Sequence, residues 1–121
     1  MAKILVAEDN KVTRNNLGQF LRGTGYEVEL AKDGAEAISL VNENKFDLVI
    51  SDIVMPRANG WNLLTHVNCV SPDTPVLLMT AYNQVQSSEA YSAASSELIL
   101  KPFVLTDFLS KVEQILDRRK V

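Results

Sequence analysis

Hydrophobic residues occur along this chain as short apolar runs, separated by longer stretches in which they recur at helical spacing. In the central run, 48–50, three consecutive apolar residues precede Ser51 and Asp52. Such two-sided apolar character over a short length is typical of a strand inside a parallel sheet that helices cover on both faces. Four further strands are predicted at 4–7, 28–30, 76–79 and 98–100. The second of these alternates with acidic residues, which indicates an edge strand with one exposed face.

The stretches between the strands have the spacing of amphipathic helices, with apolar residues three or four positions apart. The last helix is expected to bury Leu105, and the first to bury Val12. A capping box, with Asp33 as cap and Glu36 three residues on, predicts the start of the second helix. The five predicted helices lie at 12–22, 35–43, 61–68, 83–94 and 105–116. Strict alternation of strands and helices predicts parallel βαβ units in one α/β domain, but it leaves the strand order open.

Composition excludes several classes of protein. A net charge of -3, with no basic block before the tail, argues against a nucleic-acid surface. The single cysteine, Cys69, permits no internal disulfide and is expected to be at least half-buried. No apolar run reaches the length of a membrane span, and the N-terminus lacks the apolar core of a signal peptide. We therefore expect a cytoplasmic protein with no membrane or nucleic-acid partner.

Polar residues close four of the predicted strands: Glu8 and Asp9 the first, Asp52 the third, Thr80 the fourth and Lys101 the fifth. The carboxyl ends of parallel strands share one edge of the sheet, which is where ligands bind in open α/β folds. Two carboxylates about 4 Å apart repel by roughly 4 kcal/mol at an effective dielectric constant of 20, and a divalent cation would relieve this repulsion. Oxygen ligands without cysteine or clustered histidine favour Mg2+.

A magnesium ion, an ammonium group and a hydroxyl around one carboxylate suit phosphoryl transfer to that carboxylate. Such transfer depends mainly on positioning and on neutralising the charge of the phosphoryl oxygens. Asp52 would be the nucleophile. The Lys101 ammonium would take up oxygen charge, and the Thr80 hydroxyl would donate to one oxygen.

Four motifs together resemble the receiver domain of two-component response regulators. Their order and spacing fit that family without gaps over essentially the whole chain. The motifs are Leu5-Val6-Ala7-Glu8-Asp9-Asn10, Asp52-Ile53-Val54-Met55-Pro56 with Asn59-Gly60, Leu78-Met79-Thr80-Ala81, and Leu100-Lys101-Pro102-Phe103.

The resemblance implies a flavodoxin-like (βα)5 sandwich of three layers, with a parallel sheet in the order 2-1-3-4-5. It implies one receiver domain over residues 1–121, either standing alone or cut from a longer regulator or hybrid kinase. It also implies phosphorylation of Asp52 by a histidine kinase or a histidine phosphotransfer protein. Self-phosphorylation from small donors and slow self-dephosphorylation would be the only catalysis.

The resemblance also assigns roles to individual residues. The Mg2+ ligands are expected to be Asp9, Asp52 and the Val54 carbonyl, with Glu8 acting through water. Thr80 matches the switch hydroxyl of the family and Lys101 its phosphate-contacting lysine, with a cis peptide bond between Lys101 and Pro102. An effector, or a second copy in a weak phosphorylation-dependent dimer, would bind the face formed by the fourth helix, fifth strand and fifth helix.

Two positions depart from the family pattern. Leu98 stands where the family usually has the aromatic partner of the switch hydroxyl, so it is expected to pack as an ordinary strand residue. Output coupling would then be weakened, or would proceed without a ring swing. The stretch 83–96 lacks the glycine that normally ends the fourth helix, which predicts a mobile or irregular helix.

Tyr82 is expected either to shield the phosphate or to be an exposed loop residue. Arg14 is expected to be a solvated charge or a contact for the phosphodonor.

Two other functions use similar residues. A Mg2+-dependent phosphatase with an aspartyl nucleophile generally has a second acid two positions later, where this chain has Val54. A flavin-binding module of the same topology needs a phosphate-binding loop rich in small residues after the first strand, where this chain has Glu8 and Asp9.

Overall fold

A computed structural model of the 121-residue chain describes residues 2–55, 57–81 and 96–119. Within these ranges the protein forms five strands and four helices, and strands and helices alternate from β1 to β4 as the hydrophobic pattern predicts. The strands are β1 (Lys3–Ala7), β2 (Glu27–Ala31), β3 (Leu48–Asp52), β4 (Val76–Ala81) and β5 (Ser96–Lys101). The helices are α1 (Lys11–Gly23), α2 (Gly34–Glu43), α3 (Gly60–Val70) and α4 (Leu105–Arg119). No helix in these ranges has the length and apolar character needed to cross a membrane.

All five strands are parallel and lie in the order β2-β1-β3-β4-β5. The order that the resemblance implied is therefore confirmed, and so is the edge position of β2. Because the strands are parallel, β1, β3, β4 and β5 all present their carboxyl ends at one edge of the sheet. Those ends carry the polar residues that the sequence singles out.

The sheet separates two hydrophobic layers. On one face, side chains of the strands pack against α1 and α4, with Leu21 and Phe108 fully buried. On the other face they pack against α2 and α3, with Ala37 and Leu63 fully buried. Leu98 is half-buried against the second layer, as expected for an ordinary strand residue.

Three predictions of burial are wrong. Val12 is 69% exposed and Leu105 is 42% exposed. Both lie in the first turn of a helix, ahead of the buried residues that mark its apolar stripe, Leu17 in α1 and Phe108 in α4. Cys69 is also exposed, because it lies two residues after Val67 and therefore on the other side of α3 from the buried stripe.

The predicted cap of α2 is present with one difference. The Asp33 carboxylate accepts a hydrogen bond from the Glu36 backbone N–H at 2.8 Å. The Glu36 carboxylate, however, accepts from the backbone N–H of Lys32 rather than from that of the cap residue. At α3 a reciprocal box is complete, since Asn59 and Asn62 each accept from the other's backbone N–H at 3.0 Å. The caps fix where both helices begin relative to the loops at the carboxyl edge of the sheet.

Some predictions concern residues outside the described ranges. They are the fourth predicted helix at 83–94, the mobility of the stretch 83–96, of which only residue 96 is described, and the two alternatives for Tyr82. They stay predictions.

Candidate functional site

The loop after β1 carries two acidic residues and is held by its own backbone. The Glu8 N–H donates to the Ala31 carbonyl at 3.0 Å, which continues the pairing with β2 by one residue. Asn10 caps α1, because its side-chain oxygen accepts from the Thr13 N–H at 3.0 Å. The Asn10 N–H donates to Glu8 Oε2 at 3.2 Å. Glu8 is buried, and one of its carboxylate oxygens accepts the hydrogen bond from Asn10. Asp9, by contrast, is exposed.

Asp52 is the last residue of β3 and is 8% exposed. Its carbonyl accepts a hydrogen bond from the Ser51 hydroxyl at 2.8 Å. The Gly60 N–H donates to the Ile53 carbonyl at 2.8 Å, so the start of α3 lies against the end of β3. A Cβ atom at Gly60 would lie 2.6 Å from the Asp52 carbonyl oxygen, and only glycine permits this close approach. The side chain of Asp52 is therefore presented from a tightly held backbone.

Lys101 joins the two acidic loops. It is the last residue of β5, and its ammonium donates to Asp52 Oδ2 at 2.9 Å and to Glu8 Oε1 at 3.2 Å. Since β4 lies between β3 and β5, the long lysine side chain has to reach past one strand to make these contacts. The strand order, with β1 beside β3 and β5 on the far side of β4, therefore brings Glu8, Asp52 and Lys101 together. The Lys101–Pro102 peptide bond is cis, as the resemblance implied.

Three carboxylates form a compact group around this ammonium. Oxygens of Glu8, Asp9 and Asp52 all lie within 4.8 Å of one another. When all three are ionised, the group and the Lys101 ammonium together carry a charge of -2. A doubly charged cation would balance it, and oxygen ligands of this kind suit a hard ion such as Mg2+. The exposed Asp9 leaves one side of the group open to solvent. The residues present therefore fit a magnesium ion.

Burial and charge shift two pKa values in the site. Burial is the main cause that raises the pKa of Glu8, and the neighbouring Asp52 and Asp9 add to it. The Asn10 N–H and the Lys101 ammonium act in the opposite direction without cancelling the rise. For Lys101, burial acts to lower the pKa, but its contacts with Asp52 and Glu8 outweigh burial and raise it. The lysine is therefore held firmly in its charged form beside Asp52.

Two further residues that the sequence singles out lie at the same edge. Thr80 is fully buried in β4, one position after Met79, which pairs with Asp52. Val54 follows Asp52 by two residues and its side chain is 56% exposed. The register of β3 and β4 therefore brings Thr80 to the level of the acidic group. Val54 lies in the loop that follows β3.

Sequence reasoning missed the residues that hold the site in place. The Arg14 guanidinium donates to the carbonyl of Glu8 at 3.0 Å and approaches that of Asp9 at 3.5 Å, so it is not simply a solvated charge; its contact with a phosphodonor stays a prediction. Ser51 and Asn10 also support the site through backbone contacts. An asparagine just before a predicted helix was a readable signal for Asn10, because asparagine is one of the preferred N-cap residues. The contacts of Arg14 and Ser51 have no such signature.

Comparison with known proteins gives one consistent family. A family model described as the response regulator receiver domain matches residues 4–113. The response regulator MprA of Mycobacterium sp. (strain KMS) is 35% identical over 117 residues, which are 96% of this chain and 51% of that protein. The chain thus spans about half the length of the curated relatives it matches.

Solved structures agree with this family. TrrA, a response regulator of Thermotoga maritima solved in complex with Mg2+-BeF, is 31% identical with a TM-score of 0.85, covering 95% of this chain and 99% of that one. The receiver domain of Francisella response regulator 1452 is 28% identical with a TM-score of 0.88, covering 98% of each chain. The acidic group at the carboxyl edge of the sheet fits Mg2+-dependent phosphorylation of an aspartate. This chain therefore belongs to the response regulator receiver domain family.

Proposed function

We propose that this receiver domain is a signalling switch in which Asp52 accepts a phosphoryl group from a histidine kinase or a histidine phosphotransfer protein. The observation that carries the proposal is the 2.9 Å contact between the Lys101 ammonium and Asp52, beside a group of three carboxylates. Membership of the receiver family supports it.

In the proposed reaction an oxygen of the Asp52 carboxylate attacks the phosphorus of a phosphohistidine. The new P–O bond forms as the P–N bond breaks, and the electron pair of that bond stays on the imidazole nitrogen, which then takes up a proton. The Lys101 ammonium neutralises one phosphoryl oxygen, and the Thr80 hydroxyl donates to another. This transfer needs positioning and charge neutralisation rather than a strong base, so Lys101 and Thr80 contribute charge and hydrogen bonding and neither has to remove a proton.

Asp9, Asp52 and the Val54 carbonyl would hold Mg2+, with Glu8 acting through a water molecule. When bound, the ion supplies positive charge to the phosphoryl oxygens. The chain's own part is to keep Glu8 and Asp9 close to Asp52 despite their mutual repulsion, which Lys101 reduces. Both carboxylate oxygens of Glu8 already accept a hydrogen bond, from the Asn10 N–H and from Lys101, which is consistent with an indirect role.

The proposed catalysis is limited to self-phosphorylation from small donors and slow loss of the phosphoryl group. A Mg2+-dependent phosphatase with an aspartyl nucleophile would need an acid two positions after Asp52 to protonate the leaving group. Val54 has no ionisable group, and its side chain extends into solvent. Nothing in the site favours the phosphatase or the flavin module.

We propose that phosphorylation changes the output face predicted from the family, which an effector or a second copy would bind. Of this face, β5 and the last helix, α4, lie within the described residues. Leu98 on β5 is packed against the core and has no ring that could turn inward. The change would therefore pass from the phosphoryl group to Thr80 and along β4, without an aromatic swing. Residues 1–121 are proposed to form one such domain, either standing alone or as part of a longer regulator or hybrid kinase.

The test is the intact mass of the protein after incubation with Mg2+ and acetyl phosphate. One phosphoryl adduct is expected, lost in Asp52→Asn. A matched control is Asp33→Asn, because Asp33 is also a buried aspartate and asparagine keeps its capping bond. This control should keep the adduct. An adduct that survives Asp52→Asn, or turnover of phosphate esters without any adduct, would contradict the proposal.

A further inference from the structure

One arginine of α1 is turned back onto the loop that carries Glu8 and Asp9. Arg14 is half-buried, and its guanidinium donates to the Glu8 carbonyl at 3.0 Å. The same nitrogen approaches the Asp9 carbonyl at 3.5 Å, which is a weaker contact. The Arg14 backbone N–H also donates to the Asn10 carbonyl at 2.8 Å, in the first turn of α1. Main chain and side chain of one residue thus hold three consecutive loop carbonyls.

This loop needs such support because its side chains repel one another. Oxygens of Glu8, Asp9 and Asp52 lie within 4.8 Å, and repulsion favours any movement of the loop that separates them. Glu8 is restrained by its N–H bond to Ala31 and by Lys101. Asp9 is exposed, so the position of its carboxylate depends chiefly on the backbone that Arg14 contacts.

We infer that Arg14 is a positioning residue for the proposed magnesium site, which it serves by holding the backbone of Glu8 and Asp9. The inference rests on the proposed function, since it assigns a support to the same site. Groups that orient metal ligands commonly change metal affinity by 10- to 100-fold when they are removed.

If Arg14 acted only through its positive charge, its removal would change the Mg2+ affinity in the opposite direction. The experiment can therefore distinguish support of the loop from repulsion of the cation. A positive side chain close to a cation site repels the cation, so removing it should strengthen Mg2+ binding. If Arg14 holds the loop, removing it should weaken Mg2+ binding instead. The sign of the change therefore decides whether support or repulsion dominates.

The experiment compares Arg14→Met and Arg14→Lys with the unaltered protein, using calorimetric titration with magnesium chloride. Arg14→Met is expected to weaken binding about tenfold. Arg14→Lys keeps one donor and should give an intermediate affinity. The matched control is Arg22→Met, because Arg22 lies on the same helix and also donates to a backbone carbonyl, that of Val28 at 2.8 Å. This control loses the same charge at the other end of α1 and should bind Mg2+ normally.

A second measurement is amide hydrogen exchange without Mg2+. Exchange at Asn10, whose N–H is bonded to Glu8, should be faster in Arg14→Met than in Arg22→Met. Unchanged or tighter Mg2+ binding by Arg14→Met overturns the inference while leaving the proposed function intact. If that variant does not fold, equal affinity of Arg14→Lys and the unaltered protein overturns it. Failure of the unaltered protein to bind Mg2+ contradicts the proposed function as well.

Discussion

At the scale of single residues, two glycines in helices have very different surroundings. Gly18 lies in the middle of α1, and a Cβ atom there would lie 2.9 Å from a methyl carbon of Leu30, at the end of a flexible side chain. Gly34 is the first residue of α2, and a Cβ atom there would lie 1.9 Å from the carbonyl oxygen of Ala58. The loop between β3 and α3 therefore rests directly on the start of α2.

We predict that Gly34→Ala lowers the free energy of unfolding by about 2 kcal/mol or more, because the backbone at Ala58 has to move. Gly18→Ala should change it by less than about 1 kcal/mol, since the gain in helix propensity offsets the displacement of one methyl group. Urea unfolding of both variants measures the difference. Equal losses in the two variants would mean that the contact with Ala58 does not constrain the fold.

At the scale of elements, an ion-pair group joins β5 to α4. Glu97 on β5 is paired with Lys111 at 3.4 Å and with Arg118, and both partners lie on α4. Burial acts to raise the pKa of Glu97, but the hydrogen bond from Arg118 and the charge of Lys111 outweigh it and lower the pKa. A carboxylate with a lowered pKa stabilises the folded state above its unfolded value of 4.5 and loses that effect as the pH falls further.

We predict that Glu97→Gln reduces stability at pH 7 by less than about 1 kcal/mol, because these partners are partly exposed. The difference from the unaltered protein should shrink as the pH falls below 4.5, because Glu97 is protonated first in the unfolded chain and then, at a lower pH, in the folded protein, where its pKa is lowered. Thermal unfolding across that pH range measures it. Glu29→Gln, which alters an exposed acid on the edge strand β2, should show no comparable loss. A difference that persists at low pH would assign the effect to packing rather than charge.

The boundaries of the strands show where side-chain patterns stop being informative. The run at 76–79 predicted a strand that closes at Thr80, whereas β4 continues to Ala81. Hydrogen bonding to a neighbouring strand involves backbone groups, so pairing with β5 continues past the apolar run at 76–79 to Thr80 and Ala81. The same reason extends β5 to residues on both sides of its apolar run.

At the scale of the whole molecule, Mg2+ bound by the three carboxylates would stabilise the folded state. A ligand that binds only the folded state stabilises it by about 2.7 kcal/mol at a hundred times its dissociation constant. We predict that Mg2+ raises the melting temperature and that Asp9→Asn removes this increase. Without Mg2+, Asp9→Asn should be at least as stable as the unaltered protein, since it relieves repulsion within the group.

Thermal unfolding with and without magnesium chloride measures both effects. Asp73→Asn is a matched control, because Asp73 is another exposed aspartate but lies in the loop before β4. It should keep the full increase with Mg2+. An increase retained by Asp9→Asn would place the bound ion away from the three carboxylates.

The parts of this protein that could be read from its sequence are those set by local burial. Apolar runs and helical stripes marked the described elements because each needs its own hydrophobic face, and polar residues at the strand ends marked the site. Tertiary structure alone decided which of these residues meet. Lys101 contacts Asp52 and Glu8 across 49 and 93 positions of the chain, which depends on the packing of every strand between them. The exposure of Val12 and the contact of Arg14 with the Glu8 carbonyl were likewise not readable from the pattern, because both depend on how α1 packs in the folded protein.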